Sequence, residues 1–269
     1  MLVLALVALG AGAAVASLRD DAPPDARGAE VLHLRFRSKD VGRTERVAVV
    51  VPPGARARHA PLLVFLHGRG GNDTAQLDSA FFDGLSALGD RAPIVAMPDG
   101  GRSSYWHDRD TGNWGQYVWS EVIPRAARAS GADRTKMAIG GISMGGFGAF
   151  DIARDHPGRF CAVGGHSPAL WQSGGETAAG AFDDAEDFSR HDVIAETRAD
   201  PKPLMGIPLW LDAGTSDPFK PGDSAFSAVL RSAGADLTEH HWSGGHTHEY
   251  WSAHMAAYLR FYAQALARC

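Results

Sequence analysis

Residues 137–150 read MAIGGISMGGFGAF, and this stretch decides the fold. The apolar run 137–142 predicts a buried strand, and the glycine-rich run that follows predicts a helix. Between them, GISMG (141–145) fits the pattern G-x-S-x-G. In this pattern a sharp turn from strand to helix holds the serine hydroxyl above the end of a sheet, and the glycines keep side chains out of the turn. We therefore expect a strand, an exposed Ser143 and a helix in direct succession.

Outward from this stretch, short apolar runs alternate with longer amphipathic ones. The predicted strands cover 31–37, 46–51, 62–66, 94–96, 137–142, 160–163 and 209–211. The predicted helices cover 74–88, 116–129, 144–155, 225–232 and 249–267. This alternation, with strands that are mostly continuous apolar runs, predicts an α/β fold with a mostly parallel central sheet flanked by helices. No helix separates the first two strands, so we expect them to pair antiparallel.

The alternation stops in residues 171–207, which are rich in Gly, Asp and Ala. We interpret them as a small insertion that follows a strand and lies over one end of the sheet. At that position the insertion either covers a substrate or is a plain surface loop, and the sequence leaves both alternatives open.

The amino-terminal residues differ in composition from the rest of the chain. An apolar run there ends in the small residues Ala-Val-Ala (14–16). Such a pattern is typical of a signal peptide, and the run is shorter than the ~20 residues of a membrane-spanning helix. The sequence thus predicts a signal peptide at 1–16, cleavage after Ala16 and a secreted or otherwise extracytoplasmic protein without a stable membrane anchor. A polar, proline-containing stretch predicts a disordered linker at 17–30, followed by a single domain at 31–269.

The composition limits the classes of function. Of the 269 residues, 45% are hydrophobic and 21% are charged, which is typical of a globular domain with a sizeable core. The formal net charge is −5, without blocks of like charge, so the basic surface that nucleic-acid binding requires is missing. The spacing of Cys161 and Cys269 does not suit a zinc site. We favour a buried core thiol and a free terminal thiol; the alternative is an oxidised pair after export, which would need Cα atoms within ~7 Å.

A serine hydroxyl becomes a strong nucleophile when a neighbouring base takes its proton, and that base is most often a histidine oriented by a carboxylate. With strand–serine–helix order of this kind, the acid follows the serine and the histidine follows the acid. His246 is the favoured base because it lies in a glycine-containing loop, SGGH (243–246), before the last predicted helix. The other carboxy-terminal histidines are interpreted as strand or helix residues: His240, His241, His248 and His254.

Two aspartates compete for the role of the acid. Asp217 is preferred because it lies in the loop beyond the 209–211 strand, from which its side chain can turn toward His246. Asp212 lies at the end of that strand and is expected to brace the turn. Asp217 has an alternative interpretation as a cap of the helix that follows, since Asp-Pro also initiates turns.

A tetrahedral intermediate on Ser143 would need two backbone N–H donors. The first is expected from Met144, the residue after the serine, and the second from the loop after the third strand. That loop reads HGRGG (67–71), and we choose the N–H of Arg69. The glycines of this loop also suggest phosphate binding, but the G-K-[ST] ending of a phosphate-binding loop is missing.

Aromatic residues cluster close to these motifs. Tyr105, Trp106 and His107 follow the predicted fourth strand, and Trp171 begins the insertion. They are candidates for an acyl or aryl pocket beside Ser143. Since tryptophan and tyrosine often only pack in a core, this alternative stays open.

Six motifs follow each other in a fixed order. They are HGRGG (67–71), PDGGRSSYW (98–106), GISMGGFGAF (141–150), GHSPALW (165–171), AGTSDPF (213–219) and GGHTHEYW (244–251). Together they resemble the putative-esterase family of α/β-hydrolases, which includes esterase D-like enzymes, S-formylglutathione hydrolases, feruloyl esterases and secreted mycolyltransferases. The resemblance implies the α/β-hydrolase fold. It also implies the same roles as the spacing does, with Ser143 as nucleophile, Asp217 as acid, His246 as base, and Arg69 and Met144 as oxyanion donors.

The resemblance implies an enzyme that cleaves a carboxylic ester, either a small molecule or an ester linked to a polysaccharide, through an acyl-enzyme on Ser143. The alternative is an acyltransferase of the mycolyltransferase type that passes the acyl group to a sugar or an alcohol. A non-catalytic binding scaffold is less favoured, because it would not need the serine, the acid and the histidine together. No metal or organic cofactor and no nucleic-acid partner is implied, and the oligomeric state stays open.

Overall fold

The computed structural model of the protein describes residues 24–269. Its strands are β1 (Glu30–Arg37), β2 (Thr44–Val51), β3 (Pro61–Leu66), β4 (Ile94–Pro98), β5 (Asp108–Arg109), β6 (Gly112–Asn113), β7 (Asp133–Ile142), β8 (Ala162–His166), β9 (Leu209–Asp212) and β10 (Leu237–His240). Its α-helices are α1 (Ser79–Ser86), α2 (Trp114–Gln116), α3 (Ile123–Ser130), α4 (Met144–Asp155), α5 (Ala185–Arg190), α6 (Val193–Ala199), α7 (Lys220–Ser232) and α8 (His248–Arg268). A π-helical segment, Tyr117–Val122, joins α2 to α3.

The central sheet has eight strands in the order β1-β2-β4-β3-β7-β8-β9-β10. From β4 to β10 all neighbouring strands are parallel. The β1–β2 and β2–β4 pairs are antiparallel, so the expected antiparallel start of the sheet is confirmed. This mainly parallel sheet with flanking helices is the α/β-hydrolase fold that the sequence predicted.

The two faces of the sheet bury two hydrophobic cores. In β3, alternate side chains point to opposite faces, as the two-residue period of a strand requires. Leu62, Val64 and Leu66 belong to the core that α3, α4, α6 and α7 cover. Leu63 and Phe65 belong to the other core, which α1 and α8 cover. Because both faces are covered, the central strands are continuous apolar runs.

Parallel strands end at the same edge of the sheet, and ligands of such folds bind at that edge. The loops after β3, β4, β7, β8, β9 and β10 therefore meet there. Each of the six motifs lies in one of these loops or overlaps it, which brings distant parts of the chain to one place.

Two segments lie outside the central layers. Residues 171–207 contain α5 and α6 and two short 3₁₀ turns. The predicted linker 17–30 is described from residue 24 onward, where a disordered segment was expected. There Arg27 pairs with Asp83 of α1 at 2.6 Å, which holds these residues against the domain.

The predicted signal peptide at 1–16 lies outside the described residues. Among the helices within 24–269, none combines the length and the apolar character that a membrane span needs.

The cysteines correct one expectation. Cys161 and Cys269 form a disulfide, with Cα atoms 5.8 Å apart, so the favoured interpretation of two free thiols is wrong. The reason is the 21-residue helix α8, which brings the carboxy terminus to the amino end of β8. A sequence separation of 108 residues hides this proximity.

Candidate active site

Ser143 occupies the turn between β7 and α4. Its backbone has φ +55° and ψ −115°, a conformation that non-glycine residues rarely adopt. The turn is tight because the chain packs closely around it: a Cβ on Gly145 would clash with the carbonyl of Leu66, and one on Gly141 with the backbone of Gly145. The Ser143 N–H donates to the carbonyl of His166 at 2.9 Å. The predicted strand, turn and helix therefore follow each other directly, whereas Ser143, expected to be exposed, is only 5% exposed.

The structure brings Ser143, His246 and Asp217 together. The Nε2 of His246 lies 2.8 Å from the Oγ of Ser143. Its Nδ1 lies 3.0 Å from Oδ2 and 3.2 Å from Oδ1 of Asp217. With the proton on Nδ1, His246 donates to the carboxylate and its Nε2 can accept the serine proton. The imidazole is held between the rings of Phe219 and Trp251, each with its centroid 4.9 Å away.

Asp217 is buried, yet its surroundings favour the ionised form. Burial alone would raise the pKa of this carboxyl, but hydrogen bonds from His246 and from the N–H of Phe219, with a smaller contribution from the nearby Ser167 hydroxyl, outweigh burial and lower the pKa below its ordinary value. The Phe219 N–H, directly before α7, donates to Oδ1 at 2.8 Å. The carboxylate thus closes a local turn before α7, which has no side-chain cap, and also accepts a hydrogen bond from the Nδ1–H of His246.

Sequence reasoning missed Ser167 as a member of this network. The residue lies just after β8, is buried, and has φ +49°. Its Oγ accepts the Nε1–H of Trp251 at 3.1 Å, and its hydroxyl lies near Asp217 and contributes to the lowered pKa of that carboxyl. The available signal was the motif GHSPALW, to which no chemistry was assigned.

Asp212, the other acid considered, belongs to a second cluster beneath the site. Its Oδ1 accepts from the Nδ1–H of His166 at 2.9 Å and from the Nε1–H of Trp210 at 2.6 Å. Its Oδ2 accepts from the hydroxyls of Tyr250 at 3.0 Å and Tyr258 at 2.9 Å. Asp212 is fully buried, so it connects β8, β9 and α8 rather than only bracing a turn.

The two expected oxyanion donors flank the serine. Within residues 24–269, the N–H groups of Arg69 and Met144 donate to no other protein atom, so both remain available. The loop that carries Arg69 approaches the serine closely, since a Cβ on Gly68 would lie 3.4 Å from that of Ser143. The buried His67 holds this loop: its Nδ1 donates to the Gly68 carbonyl at 2.8 Å, and its Nε2 accepts the N–H of Gly100 at 2.9 Å.

A cleft of about 430 Å³ opens above Ser143 and includes Tyr105 in its wall. A second cleft of about 410 Å³ adjoins it, shares Ala178 and Phe219 with it, and contains Trp171. Two of the four expected pocket residues, Tyr105 and Trp171, therefore lie at clefts.

The other two expected pocket residues lie in the core, which corrects that part of the prediction. Trp106 is fully buried and donates its Nε1–H to the carbonyl of His67 at 3.2 Å. His107 is fully buried and its Nε2 lies 3.1 Å from Asp187 of α5. The physical reason is the backbone: Tyr105 and Trp106 have φ of +54° and +64°, and these consecutive left-handed residues turn the following side chains inward.

Three of the remaining histidines lie on the elements that the sequence indicated, whereas His241, expected in the strand, follows the end of β10. His240 ends β10, His248 begins α8 and His254 lies within it. His248 lines the cleft, and its Nε2 lies 3.2 Å from Asp78. Across residues 24–269, the histidines, cysteines and carboxylates form no group of three or more that could hold a metal ion.

The chain is 27% identical over 260 residues to the esterase Rv1288 of Mycobacterium tuberculosis, an alignment that covers 80% of this chain and 55% of the relative. It is 30% identical over 207 residues to the diacylglycerol acyltransferase/mycolyltransferase Ag85B of Mycobacterium avium, which covers 61% of this chain and 62% of the relative. The chain thus spans little more than half the length of the curated relatives it matches.

Solved structures with the same fold include a ferulic acid esterase, with a TM-score of 0.77 and 20% identity over 88% of this chain and 98% of the other. An S-formylglutathione hydrolase from Agrobacterium tumefaciens has a TM-score of 0.77 and 19% identity over 91% of this chain and 99% of the other. At such identities these two structures support the fold alone. The family model described as Putative esterase matches residues 38–267. Because that match covers most of the chain, the protein belongs to the Putative esterase family of α/β-hydrolases.

Proposed function

We propose that this chain is a serine esterase that cleaves a carboxylic ester through an acyl-enzyme on Ser143. The observation that carries the proposal is the continuous hydrogen-bonded series from Asp217 through His246 to the Oγ of Ser143, at the floor of an open cleft. Two backbone N–H groups that have no acceptor among residues 24–269 support it as well: that of Met144, which follows Ser143, and that of Arg69, whose loop approaches Ser143 at Gly68.

The chemistry follows from these positions. Nε2 of His246 takes the proton of Ser143 as Oγ bonds to the ester carbonyl carbon, and the carbonyl oxygen becomes an anion. The N–H groups of Arg69 and Met144 stabilise this oxyanion. The C–O bond to the alcohol then breaks, and the imidazolium gives its proton to the leaving oxygen. Water repeats the sequence on the acyl-enzyme and releases the acid. Asp217 keeps the proton on Nδ1 and stabilises the imidazolium.

An acyltransferase is the second candidate, in which a sugar or another alcohol replaces water in the second half of the reaction. The observation in its favour is the second cleft, which adjoins the first through Ala178 and Phe219 and could hold an acceptor. The Ag85B relative, described as an acyltransferase, is similar over 61% of this chain. A non-catalytic scaffold is less favoured, because it has no need of a serine held in a strained turn beside a base.

The proposal includes export through the predicted signal peptide at 1–16. The disulfide between Cys161 and Cys269 supports this location, since disulfides persist mainly in oxidising compartments. The substrate is a small-molecule ester or an ester linked to a polysaccharide.

The test is a panel of 4-nitrophenyl esters of increasing acyl length, with and without a sugar acceptor, assayed on the wild type and on Ser143→Ala. A serine esterase releases nitrophenol and free acid in the wild type only, and an acyl sugar among the products would identify the transferase. Equal rates for the wild type and Ser143→Ala on every ester would refute the proposal.

A further inference from the structure

The cleft above Ser143 has an unusual charge pattern for an acidic protein. The chain has a formal net charge of −5, but within the described residues no aspartate or glutamate lines this cleft. Its titratable or charged members are Arg69, Tyr105, His246 and His248. His246 faces Ser143 and Asp217, and His248 faces Asp78. Arg69 therefore supplies the permanent positive charge of the cleft.

The guanidinium of Arg69 has unused hydrogen-bonding capacity. Its side chain is exposed and donates at 3.4 Å to the carbonyl of Ala179. Across residues 24–269 no carboxylate lies within 4.0 Å of it. The neighbouring Arg109 differs, because it is paired with Asp183. An arginine carries five N–H donors in a planar fork that matches a carboxylate, so Arg69 can accept such a partner from outside the chain.

The position of Arg69 relates this charge to the reaction. In the proposed function the backbone N–H of Arg69 binds the carbonyl oxygen of the ester. The side chain of Arg69 therefore starts close to the bond that is cleaved. The guanidinium lies near the phenol of Tyr105, whose pKa burial raises and the charge of Arg69 lowers in part. Tyr105 lines the same cleft. The guanidinium is therefore directed along the cleft wall.

We propose that Arg69 is a specificity-determining residue that selects esters with a carboxylate close to the scissile bond. This inference rests on the proposed function and adds the substrate class to it. The exposed guanidinium forms a charge-assisted, two-point hydrogen bond with that carboxylate, which orients the ester carbonyl toward the backbone N–H of the same residue. The pair is solvent-exposed, so its effect is modest and falls as salt screens it.

The experiment compares charged esters with neutral esters of the same shape. In 4-acetoxybenzoate the carboxylate lies on the alcohol side of the ester, and 4-acetoxybenzamide is the neutral counterpart. In monomethyl glutarate the carboxylate lies on the acyl side, and the methyl ester of its half-amide is the neutral counterpart. The readout is the ratio of kcat/KM for the anionic ester to that for the neutral one, at low and at high salt. The proteins are the wild type, Arg69→Gln, Arg69→Lys and Arg69→Glu. The control is Arg134→Gln, an exposed arginine in the first half of β7, away from the cleft.

We expect the wild type to favour the anionic ester of at least one pair by about two- to fivefold at low salt, and less at high salt. Arg69→Gln brings that ratio to about one, Arg69→Lys keeps part of it, and Arg69→Glu inverts it, while Arg134→Gln keeps the wild-type ratio. A wild type that hydrolyses both members of each pair through Ser143 without a preference, or a preference that survives in Arg69→Gln, would overturn this inference and leave the proposed function intact. No hydrolysis of any ester would count against the proposed function itself.

Discussion

The protein contains two series in which an aspartate, a histidine and a hydroxyl follow each other. In the first, Asp217 contacts Nδ1 of His246, and Nε2 lies 2.8 Å from the Oγ of Ser143. In the second, Asp212 contacts Nδ1 of His166, and Nε2 lies 2.9 Å from the hydroxyl of Tyr262. The heavy-atom arrangement is nearly the same in both.

The surroundings of the two series differ. The side chain of His246 is 21% exposed and its serine opens to a cleft, whereas His166 and Asp212 are 0% exposed. Burial lowers the pKa of His166, more than the hydrogen bond and the charge of Asp212 raise it, so its ring stays neutral and links β9 to α8. Under the proposed function, the hydrogen-bonded series alone is not enough for a reactive site. A hydroxyl that lines a cleft, beside N–H donors without an acceptor among residues 24–269, distinguishes the first series.

The largest contrast is expected at the two hydroxyls. Ser143→Ala should lower kcat by about 10⁶-fold, the scale of losing a triad nucleophile, without unfolding the protein. Tyr262→Phe should change kcat by less than about threefold and cost about 1 kcal/mol of stability, because it removes one buried hydrogen bond to His166. Ester hydrolysis and urea unfolding of both variants check this. A Tyr262→Phe enzyme that is folded but inactive would contradict the distinction.

The next contrast is between the two acids. Asp217→Asn keeps size but loses the preference for the Nδ1 tautomer, so kcat should fall by about 10⁴-fold with little change in stability. Asp212→Asn removes a buried carboxylate that accepts from His166, Trp210 and two tyrosines, and should cost about 2–4 kcal/mol. Activity per folded molecule should fall less than about tenfold. Thermal melts and kcat on both variants provide the measurement, and the reverse pattern would move the catalytic acid to Asp212.

A smaller effect is expected at the disulfide, which joins β8 and α8 at the ends opposite the cleft. Cys269→Ser should lower the free energy of unfolding by about 2–4 kcal/mol, since the cross-link closes a long loop in the unfolded chain. Because the cleft is at the other edge of the sheet, kcat should stay within about twofold. Urea unfolding with and without reductant measures the free energy of unfolding. If Cys269→Ser lost all activity while its stability stayed unchanged, the carboxy-terminal end of α8 would control the active site.

The smallest effect concerns Asp223, another buried aspartate, on α7. Neither of its oxygens has a hydrogen-bond partner within residues 24–269. Burial, and then the charges of Asp217 and Asp212, raise its pKa well above the ordinary value. A raised pKa in the folded state means that stability is full below the pKa of the unfolded chain and is lost as pH rises toward the folded pKa.

Asp223→Asn removes the carboxyl and with it the loss of stability at higher pH. We expect no gain in the free energy of unfolding near pH 4 and a gain of about 1–2 kcal/mol at pH 8. Thermal melts at the two pH values check the sign. A gain of the same size at both would show that the carboxyl is not protonated in the folded protein.

The comparison also shows how far sequence reasoning reached. The strand–serine–helix stretch is local, so residues 137–150 predicted both the central strand and the turn. His246 and Asp217 were chosen by chain order and loop position, and they do lie beside Ser143; their catalytic roles stay predictions. The Asp212 cluster was not foreseen, because His166, the tyrosines of α8 and Asp212 are adjacent only after the sheet and the last helix have packed.

The other features that the sequence did not predict also depend on long-range contacts or on backbone conformation. Ser167 has a left-handed backbone and reaches Asp217 from a different strand, which no local pattern indicates. Trp106 and His107 were expected at a pocket because they neighbour Tyr105, but the backbone turn sends them into the core. The disulfide required knowledge of where α8 ends relative to β8. Periodicity predicts elements, whereas these contacts depend on how the elements pack.

The most direct test of the central claim, that the accessible series is the reactive one, is labelling with a fluorophosphonate followed by peptide mapping. The reagent bonds covalently to a serine hydroxyl that a neighbouring base activates. The account predicts one label per folded molecule, on the peptide that contains Ser143, and its loss in His246→Gln but not in Tyr262→Phe. A label on another residue, or an unlabelled Ser143 in a folded and active protein, would contradict it.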